Sequence, residues 1–556
     1  MTRRATRSRS GRSRARPAWR AVSIGVPLAF LLMFFVYPVV MIMGRSLAPH
    51  GHLDLGAIGD VLGDGYYRHV AWFTLWQAVL STLLTLLIGL PVAYVLARYD
   101  FPGKHALRAA LIVPFVLPTL VVGSAFLAVL GPTGPLRSLG IAQGLAPILL
   151  AHVFFNVAVV VRTVGGMWSH LDPRMEEAAR VLGASRTRAF REVTWPILRP
   201  AIASAASIVF LFTFTSFGVI LVLGGARHAT LEVEIYRQAT ELFDLRVAAV
   251  LSLLQLTAVI AAIGWFGRRE RRTPALRLRA ADETARRPAN RAQWFEVLAV
   301  LTPVVVFLAT PVVVLVARSF ATSGGPSLGF YRALGSTHRA SSAFPPPIDA
   351  VRNSLVIALG TTLIAVVVGG LAALAITGSR RGTPERLLDH SLMLPLGVSA
   401  VTIGFGFLVA LDRGVLDLRT SPLILPIAHA LIAIPFVVRV AVPMLRSIDP
   451  KLRDAAAVLG APPARVWREI DLPIVARAFL VAAGFAFAIS LGEFGATAFL
   501  ARPDFPTLPI EIQRLLGLPG ASNFGQAMAA STILMIITGV AVFTIDRFRV
   551  GTSASF

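Results

Sequence analysis

Few residues in this 556-residue chain could do chemistry, and their spacing narrows what that chemistry is. One carboxylate, Glu493, stands inside an otherwise uncharged apolar run, where a charge is unfavourable unless it serves a solute path or meets a specific partner. It could face a cationic solute, pair with Arg502, or cap a helix broken around Gly492 and Gly495. His152 and His429 stand 277 residues apart at matching places, without cysteine or a nearby carboxylate pair. That is weak spacing for a metal and better suited to a polar contact between helices. The two lysines, Lys104 and Lys451, lie outside any G-x-x-x-x-G-K-[ST] context, so nothing in the chain reaches the terminal phosphates of a nucleotide. HExxH, paired carboxylates within a span and a nucleophile beside a base are all missing from the sequence. The expectation is a chain that binds no cofactor or metal of its own and is not an enzyme.

The elements that must carry these residues are apolar and long. Hydrophobic residues make up 55% of the chain and charged residues 15%, with a mean hydropathy of +0.71. A bilayer core needs roughly 20 apolar residues in a helix, because no water is present to satisfy the backbone. Runs of that kind occupy residues 22–43, 72–97, 109–136, 139–161, 200–226 and 247–267 in the first half. Residues 297–317, 353–379, 391–411, 420–438, 478–501 and 515–545 follow in the second. The reading is an all-α membrane protein with twelve transmembrane helices.

The net charge of +24 would suit nucleic acid, but its distribution suits a bilayer. With the N-terminus in the cytoplasm, the tails and alternate loops on that side hold 39 of the 53 Arg and Lys residues. This is the positive-inside pattern, so both termini are expected in the cytoplasm of a bacterial plasma membrane, with lipid as a partner and no nucleic acid. Residues 1–20 carry eight arginines and no acid, and read as a basic tail that fixes orientation. A cleaved signal peptide is not expected, because the first apolar run is long and "RSLAPH" is a poor cleavage site. Trp72, Trp76, Trp168 and Trp265 fall near span ends and read as interfacial belts.

The chain repeats itself. Residues 151–197 align without a gap on 428–474, with 19 identities in 47 positions. The same offset pairs Phe217-Gly218 with Phe494-Gly495, and "GRSL" at 44–47 echoes "ARSF" at 317–320. Six spans per half permit a parallel repeat about an axis along the membrane normal. We read residues 21–266 and 295–547 as two equivalent units, 267–294 as an arginine-rich cytoplasmic linker and 548–556 as a short tail.

The most polar repeated stretches lie between the fourth and fifth spans of each unit, at 170–196 and 447–473. Asp172-Pro173 and Asp449-Pro450 are helix-start signals. Gly183 and Gly460 then end a short helix as C-caps, and a second short helix leads to Pro196 or Pro473. The result is a helix–glycine–helix elbow. "EEAARVLGAS" and "RDAAAVLGAP" resemble the EAA loop of ABC importer membrane subunits of the type I architecture. The resemblance implies that Glu177, Ala178, Ala179 and Gly183, with Asp454, Ala455, Ala456 and Gly460, dock on an ATPase subunit. Asp454 departs from the glutamate of the motif by one methylene, which would make the two docking sites unequal. Two loops imply two copies of a separate ABC ATPase, which uses ATP and Mg²⁺, and an extracytoplasmic solute-binding protein. An ion-driven transporter would also have twelve spans, but it would need several ionisable groups in the membrane and leaves both elbows unexplained.

The solute path is expected between the halves, along the spans that follow the elbows, with Ser216, Phe217, Glu493 and Phe494 in its wall. "LVLGGARHATLEVEIYRQATELFDL" (221–245) and "SLGEFGATAFLARPDFPTLPIEI" (490–512) are similar to thiamine importer permeases, and ferric-iron importer permeases are built alike. Glu232, Glu234, Asp504 and Glu511 are read as external charges that meet the delivering protein.

Overall fold

The computed structural model describes residues 15–47, 56–270, 285–336, 345–378, 382–411 and 418–549. Most of the basic tail, the middle of the linker and the end of the C-terminal tail fall outside these residues. Among the described residues the protein is all helical except for one two-residue hairpin, Ala321–Thr322 with Gly325–Pro326. Ten helices are long and apolar enough to cross a membrane, and two further helix pairs are bent by 100° and 99° at short breaks.

Those bent pairs correct the expectation of twelve straight spans. Residues 109–136 do not form one helix. Lys104–Val116 and Thr119–Leu130 meet at a sharp corner, and Thr383–Gly397 and Ala400–Ala410 do the same in the second half. The cause is local. Pro118 disfavours the helical conformation of the residue before it, and Leu117 is extended at φ −64°, ψ 138°. In the second half Ser399 starts the new helix by accepting from Thr402 N at 3.0 Å, and Val398 is extended. The fifth and eleventh spans also end earlier than the apolar runs do. Arg186–Phe214 and Ala464–Gly492 are each followed by a break and a short helix, Gly218–Leu223 or Thr497–Leu500. The fourth and tenth spans, Leu145–Ser169 and Ile424–Arg446, run past Arg162 and Arg439, where the apolar pattern had placed their ends.

The halves are not side-by-side bundles. Helix Ala15–Leu31 packs on Asp349–Thr377, and its continuation Tyr37–Leu47 packs on Ala400–Ala410, both in the second half. Reciprocally, Arg291–Phe320 packs on Thr119–Leu130 in the first half. Gly406 makes this approach close, since a Cβ there would lie 3.1 Å from Pro38 Cβ and 3.3 Å from Ile42 Cδ1. Phe307 of the seventh span sits 6.3 Å from the rings of both Phe126 and Phe154. Each half therefore lends its first span to the other.

Within each half the second and fourth spans are the most intimate pair, and a glycine sets their distance. A Cβ on Gly89 would lie 2.8 Å from Val160 Cβ, and one on Gly369 would lie 3.1 Å from Val437 Cβ and 2.9 Å from its Cγ1. Small residues let helices approach where lipid supplies no hydrophobic driving force between them. Gly89→Leu and Gly369→Leu are each expected to destabilise the protein by about 1–3 kcal/mol through overpacking. Gly166→Ala, where a Cβ meets open space, should leave stability unchanged. Thermal unfolding in detergent reads both outcomes.

Candidate coupling elbows and translocation path

Both elbows fold as the sequence dictates. Asp172 accepts from Arg174 N at 3.0 Å and starts helix Pro173–Val181, and Asp449 accepts from Lys451 N at 2.9 Å and starts Pro450–Val458. Gly183 and Gly460 follow at φ 92° and 80°, in the left-handed region that a side chain resists. The chain reversal is closed by Ala184 N donating to Ala179 O and Ala461 N donating to Ala456 O, both at 3.0 Å. Val181 and Leu182 are each 88% exposed at the tip of the first elbow, and Val458 and Leu459 are 86% exposed at the tip of the second. Glu177, Ala178, Asp454 and Ala455 are exposed beside those tips, and Ala179 and Ala456 are half-buried.

The second arm of each elbow is not a separate helix. It runs without interruption into the next span as Arg186–Phe214 or Ala464–Gly492, through a π-helical turn at Phe190–Thr194 or Trp467–Asp471. One pair of positions clips the arms together in both copies, with different chemistry. Thr194 Oγ1 donates to Glu176 at 3.2 Å in the first, and at the matching positions Arg453 Nε donates to Asp471 at 2.8 Å in the second.

The first elbow has further ties. Arg286, in the later part of the linker, pairs with the backbone at the end of the second span. Its N donates to Arg98 O at 3.1 Å and its O accepts from Asp100 N at 3.0 Å. Its guanidinium stands 3.8 Å from Glu177. Tyr99 OH donates to Glu296 at 2.9 Å. Burial and that hydrogen bond push the Tyr99 phenol up to about 12, so it remains a donor at any physiological pH.

At the other end of these long helices the two halves meet. Phe217 and Phe494, which are equivalent in the repeat, stack across the interface with ring centroids 5.1 Å apart and planes 15° apart. Tyr236 lies against Phe217 at 5.4 Å and against Phe499 of the second half at 5.6 Å. Behind the stack each half has a buried histidine with both ring nitrogens engaged. His152 meets Ser81 at 2.9 Å and Ser216 at 3.0 Å, and His429 meets Ser490 and Thr497, each at 2.8 Å. These are polar contacts between helices, and they occupy the nitrogens a metal would need.

Glu493 is the hinge of the second half. The eleventh span ends at Gly492, and the Glu493 carboxylate accepts from Ala496 N and Thr497 N at 3.2 Å and from Thr497 Oγ1 at 3.1 Å. It also stands 3.3 Å from His429 Nε2. Arg502, the other partner considered, holds Asp504 and the Thr420 carbonyl instead. Ser216, the equivalent of Glu493, is buried and stands 3.0 Å from His152 Nε2.

The scan against family models matches "Binding-protein-dependent transport system inner membrane component" twice, over residues 86–272 and 365–548. The chain belongs to this family. It is thus an ABC importer permease, a multi-pass membrane protein built from two fused copies of the family's domain. Its curated relatives include the thiamine transport system permease protein of Escherichia coli, 28% identical over 87% of this chain and 89% of that protein. The thiamine transport system permease protein of Brucella abortus is 27% identical, with 98% of each chain covered. A chain from a solved bacterial ABC transporter that imports alginate aligns with 47% of this chain and 98% of its own length, at 14% identity and a TM-score of 0.41.

Three of the four carboxylates read as external contacts of this permease lie inside it. Glu232, Glu234 and Glu511 are 0%, 2% and 1% exposed, and only Asp504 is on the surface. The helices that carry them, Leu231–Thr240 and Leu508–Gly517, tuck their first turns against the second and eighth spans. Leu231 N donates to Thr74 Oγ1 at 2.9 Å and Leu508 N donates to Ser354 Oγ at 2.7 Å. Glu234 accepts from Tyr66 OH at 2.8 Å and Gln238 Nε2 at 2.7 Å, and Glu511 holds Arg514 at 2.6 Å. Burial pushes the Glu511 carboxyl up, against the pull of Arg514. Glu232 reaches the Gln255 side chain and faces Ser399 of the second half. Leu231 to Ile235 are buried all round, so no helical periodicity marks Glu232 and Glu234 as interior. Trp168 also departs from its expected place at the interface, being 7% exposed and packed 5.3 Å from Tyr94.

Glu493→Ala removes the acceptor for a helix start inside the protein and is expected to destabilise it by about 1–2 kcal/mol, with Glu493→Gln losing less. Unfolding midpoints of the purified permease measure both.

Proposed function

We propose that this permease imports thiamine, and that two copies of a separate ABC ATPase drive it through the two elbows. Thiamine-system relatives aligning through both halves carry the reading of cargo. The chemistry between the halves supports it. Thiamine is a flat aromatic cation, and Phe217, Phe494, Tyr236 and Phe499 offer ring faces to such a solute. Both termini and both elbows are assigned to the cytoplasm on the arginine distribution.

The mechanism follows from one mechanical continuity. An apolar tip of Val181 and Leu182, or Val458 and Leu459, seats in a groove on an ATPase subunit. The arm beyond it is the start of a 29-residue helix, about 43 Å long at 1.5 Å per residue. When ATP draws the two ATPase subunits together, the arms move as levers. Their far ends are the breaks at Ser216 and Glu493, next to the Phe217–Phe494 stack. Rocking of the two helices separates the rings on one side of the membrane and closes the path on the other. A solute-binding protein delivers the cargo to the external face.

Proteoliposomes holding the permease, its ATPase and its binding protein are expected to accumulate labelled thiamine and not ferric ion. The opposite preference overturns the cargo. The double substitution Leu182→Asp and Leu459→Asp should abolish ATPase co-purification while leaving the unfolding midpoint unchanged. Retained association would remove the elbows from the coupling role.

A further inference from the structure

A cleft of about 820 Å³ opens beneath the first elbow, and coupling does not account for it. Three elements wall it: the elbow itself, the end of the second span, and the stretch from Arg286 to Glu296 that joins the linker to the seventh span. Its charge is lopsided. Arg98, Arg180, Arg186, Arg191 and Arg286 face three acids, Glu176, Glu177 and Glu296. One side is aromatic: Tyr94 and Trp168 pack at 5.3 Å, and Trp168 and Phe190 at 6.4 Å with planes 33° apart.

Two lining residues are buried with a donor left over. Arg98 is 7% exposed, its nearest acid is Glu176 at 3.6 Å, and its Nη1 has no hydrogen-bond partner. Trp168 is 7% exposed, and its Nε1 has none either. Buried donors are seldom left unsatisfied in a native structure, so two in one cleft point to a missing acceptor.

The repeat supplies an internal control. What coupling needs is present in both copies: the exposed tips, the left-handed glycines and the clip between the arms. Phe190 and Arg191 of the cleft also have counterparts, Trp467 and Arg468, but most of its other rings and arginines are present in one copy only. At the matching positions of the second half Tyr94 becomes Leu374, Arg98 becomes Gly378, Trp168 becomes Leu445, Arg180 becomes Ala457 and Arg186 becomes Pro463. Tyr94, Arg98, Trp168, Arg180 and Arg186, which the second half lacks, therefore serve something other than the shared mechanical role.

We propose that this cleft binds a small organic phosphate bearing an aromatic ring, with the ring against Tyr94, Trp168 and Phe190 and the phosphate among the arginines. Planar guanidinium groups suit phosphate oxygens, and aromatic walls suit a heteroaromatic ring. A volume near 800 Å³ is in the range of small-molecule sites. The occupant would tie the first elbow to the second and seventh spans, and its cytoplasmic location rests on the orientation given above.

Isothermal titration calorimetry on the full-length permease, without ATPase and in nanodiscs of zwitterionic lipid, tests this. Thiamine diphosphate and ADP are the ring-bearing probes, pyrophosphate the ringless one, and nanodiscs with anionic lipid the membrane arm. At least one ring-bearing probe should bind in the micromolar range and more tightly than pyrophosphate. The exposed double variant Arg180→Ala, Arg186→Ala should weaken it by roughly tenfold or more, as expected for lost charge-assisted contacts. Trp168→Phe, which keeps the ring and removes the orphan donor, should weaken it less. The proposal is overturned if neither ring-bearing probe binds below millimolar concentration, or if the double variant binds as the parent does. It is also overturned if pyrophosphate binds equally well, or if anionic lipid alone interacts with the arginines. Because no ATPase and no uptake enter the measurement, a wrong cargo or a wrong coupling role would leave its result untouched.

Discussion

A helix that breaks inside a bilayer frees backbone amides where no water can reach them, and the protein has to satisfy each one itself. This permease breaks four of its apolar segments. The third and ninth turn corners at Leu117 and Val398, and the fifth and eleventh stop at Phe214 and Gly492. Three of the breaks are adjacent to a side chain that can accept or relay hydrogen bonds: Ser399, Glu493, and the two histidines with their serine and threonine partners, while at Leu117 the proline itself removes one donor. The interface between the halves at Phe217 and Phe494 is assembled next to the repaired ends of the fifth and eleventh spans. The same constraint that makes unbroken helices the rule makes each exception a defined position, which is why the Phe217–Phe494 stack is met from both sides by equivalent residues.

The twelve apolar runs, the six-plus-six repeat and both elbows were legible because each leaves a periodic or punctuated signal. Asp-Pro starts and glycine stops read directly as caps, and the observed φ values of Gly183 and Gly460 follow from them. The corners in the third and ninth runs were less legible, since hydropathy is blind to backbone direction and only Pro118 marked the first of them. Burial of Glu232, Glu234 and Glu511 was misread for a related reason. Carboxylates just outside an apolar run look like surface charges, and the residues that satisfy them, Tyr66, Gln255 and Arg514, are mostly distant in sequence. Glu493 was legible as an anomaly, with capping of a helix broken around Gly492 and Gly495 among its three readings, and only the three-dimensional positions of the Ala496 and Thr497 amides and of Arg502 separate them.

The two halves are copies in architecture and unequal in detail. The inter-arm clip is a hydroxyl on a carboxylate in one and an ion pair in the other. The break after the lever helix carries Ser216 in one and Glu493 in the other. The end of the linker is stitched to the second span by backbone hydrogen bonds and by Tyr99, and to the first elbow by the Arg286 guanidinium. Fusion of two domains in one chain permits this divergence, because neither half has to serve in both positions.

The exchange of first spans also imposes an order on biogenesis. Helix Ala15–Leu31 has its seat on Asp349–Thr377, so it leaves the ribosome more than 300 residues before that seat exists. At about 5–20 residues per second, the nascent chain holds an unpartnered helix in lipid for roughly 15–60 seconds. Only when the eighth span has been synthesised can the leading helix dock, and the first bundle is completed by the seventh. Neither half can be finished before the other has begun.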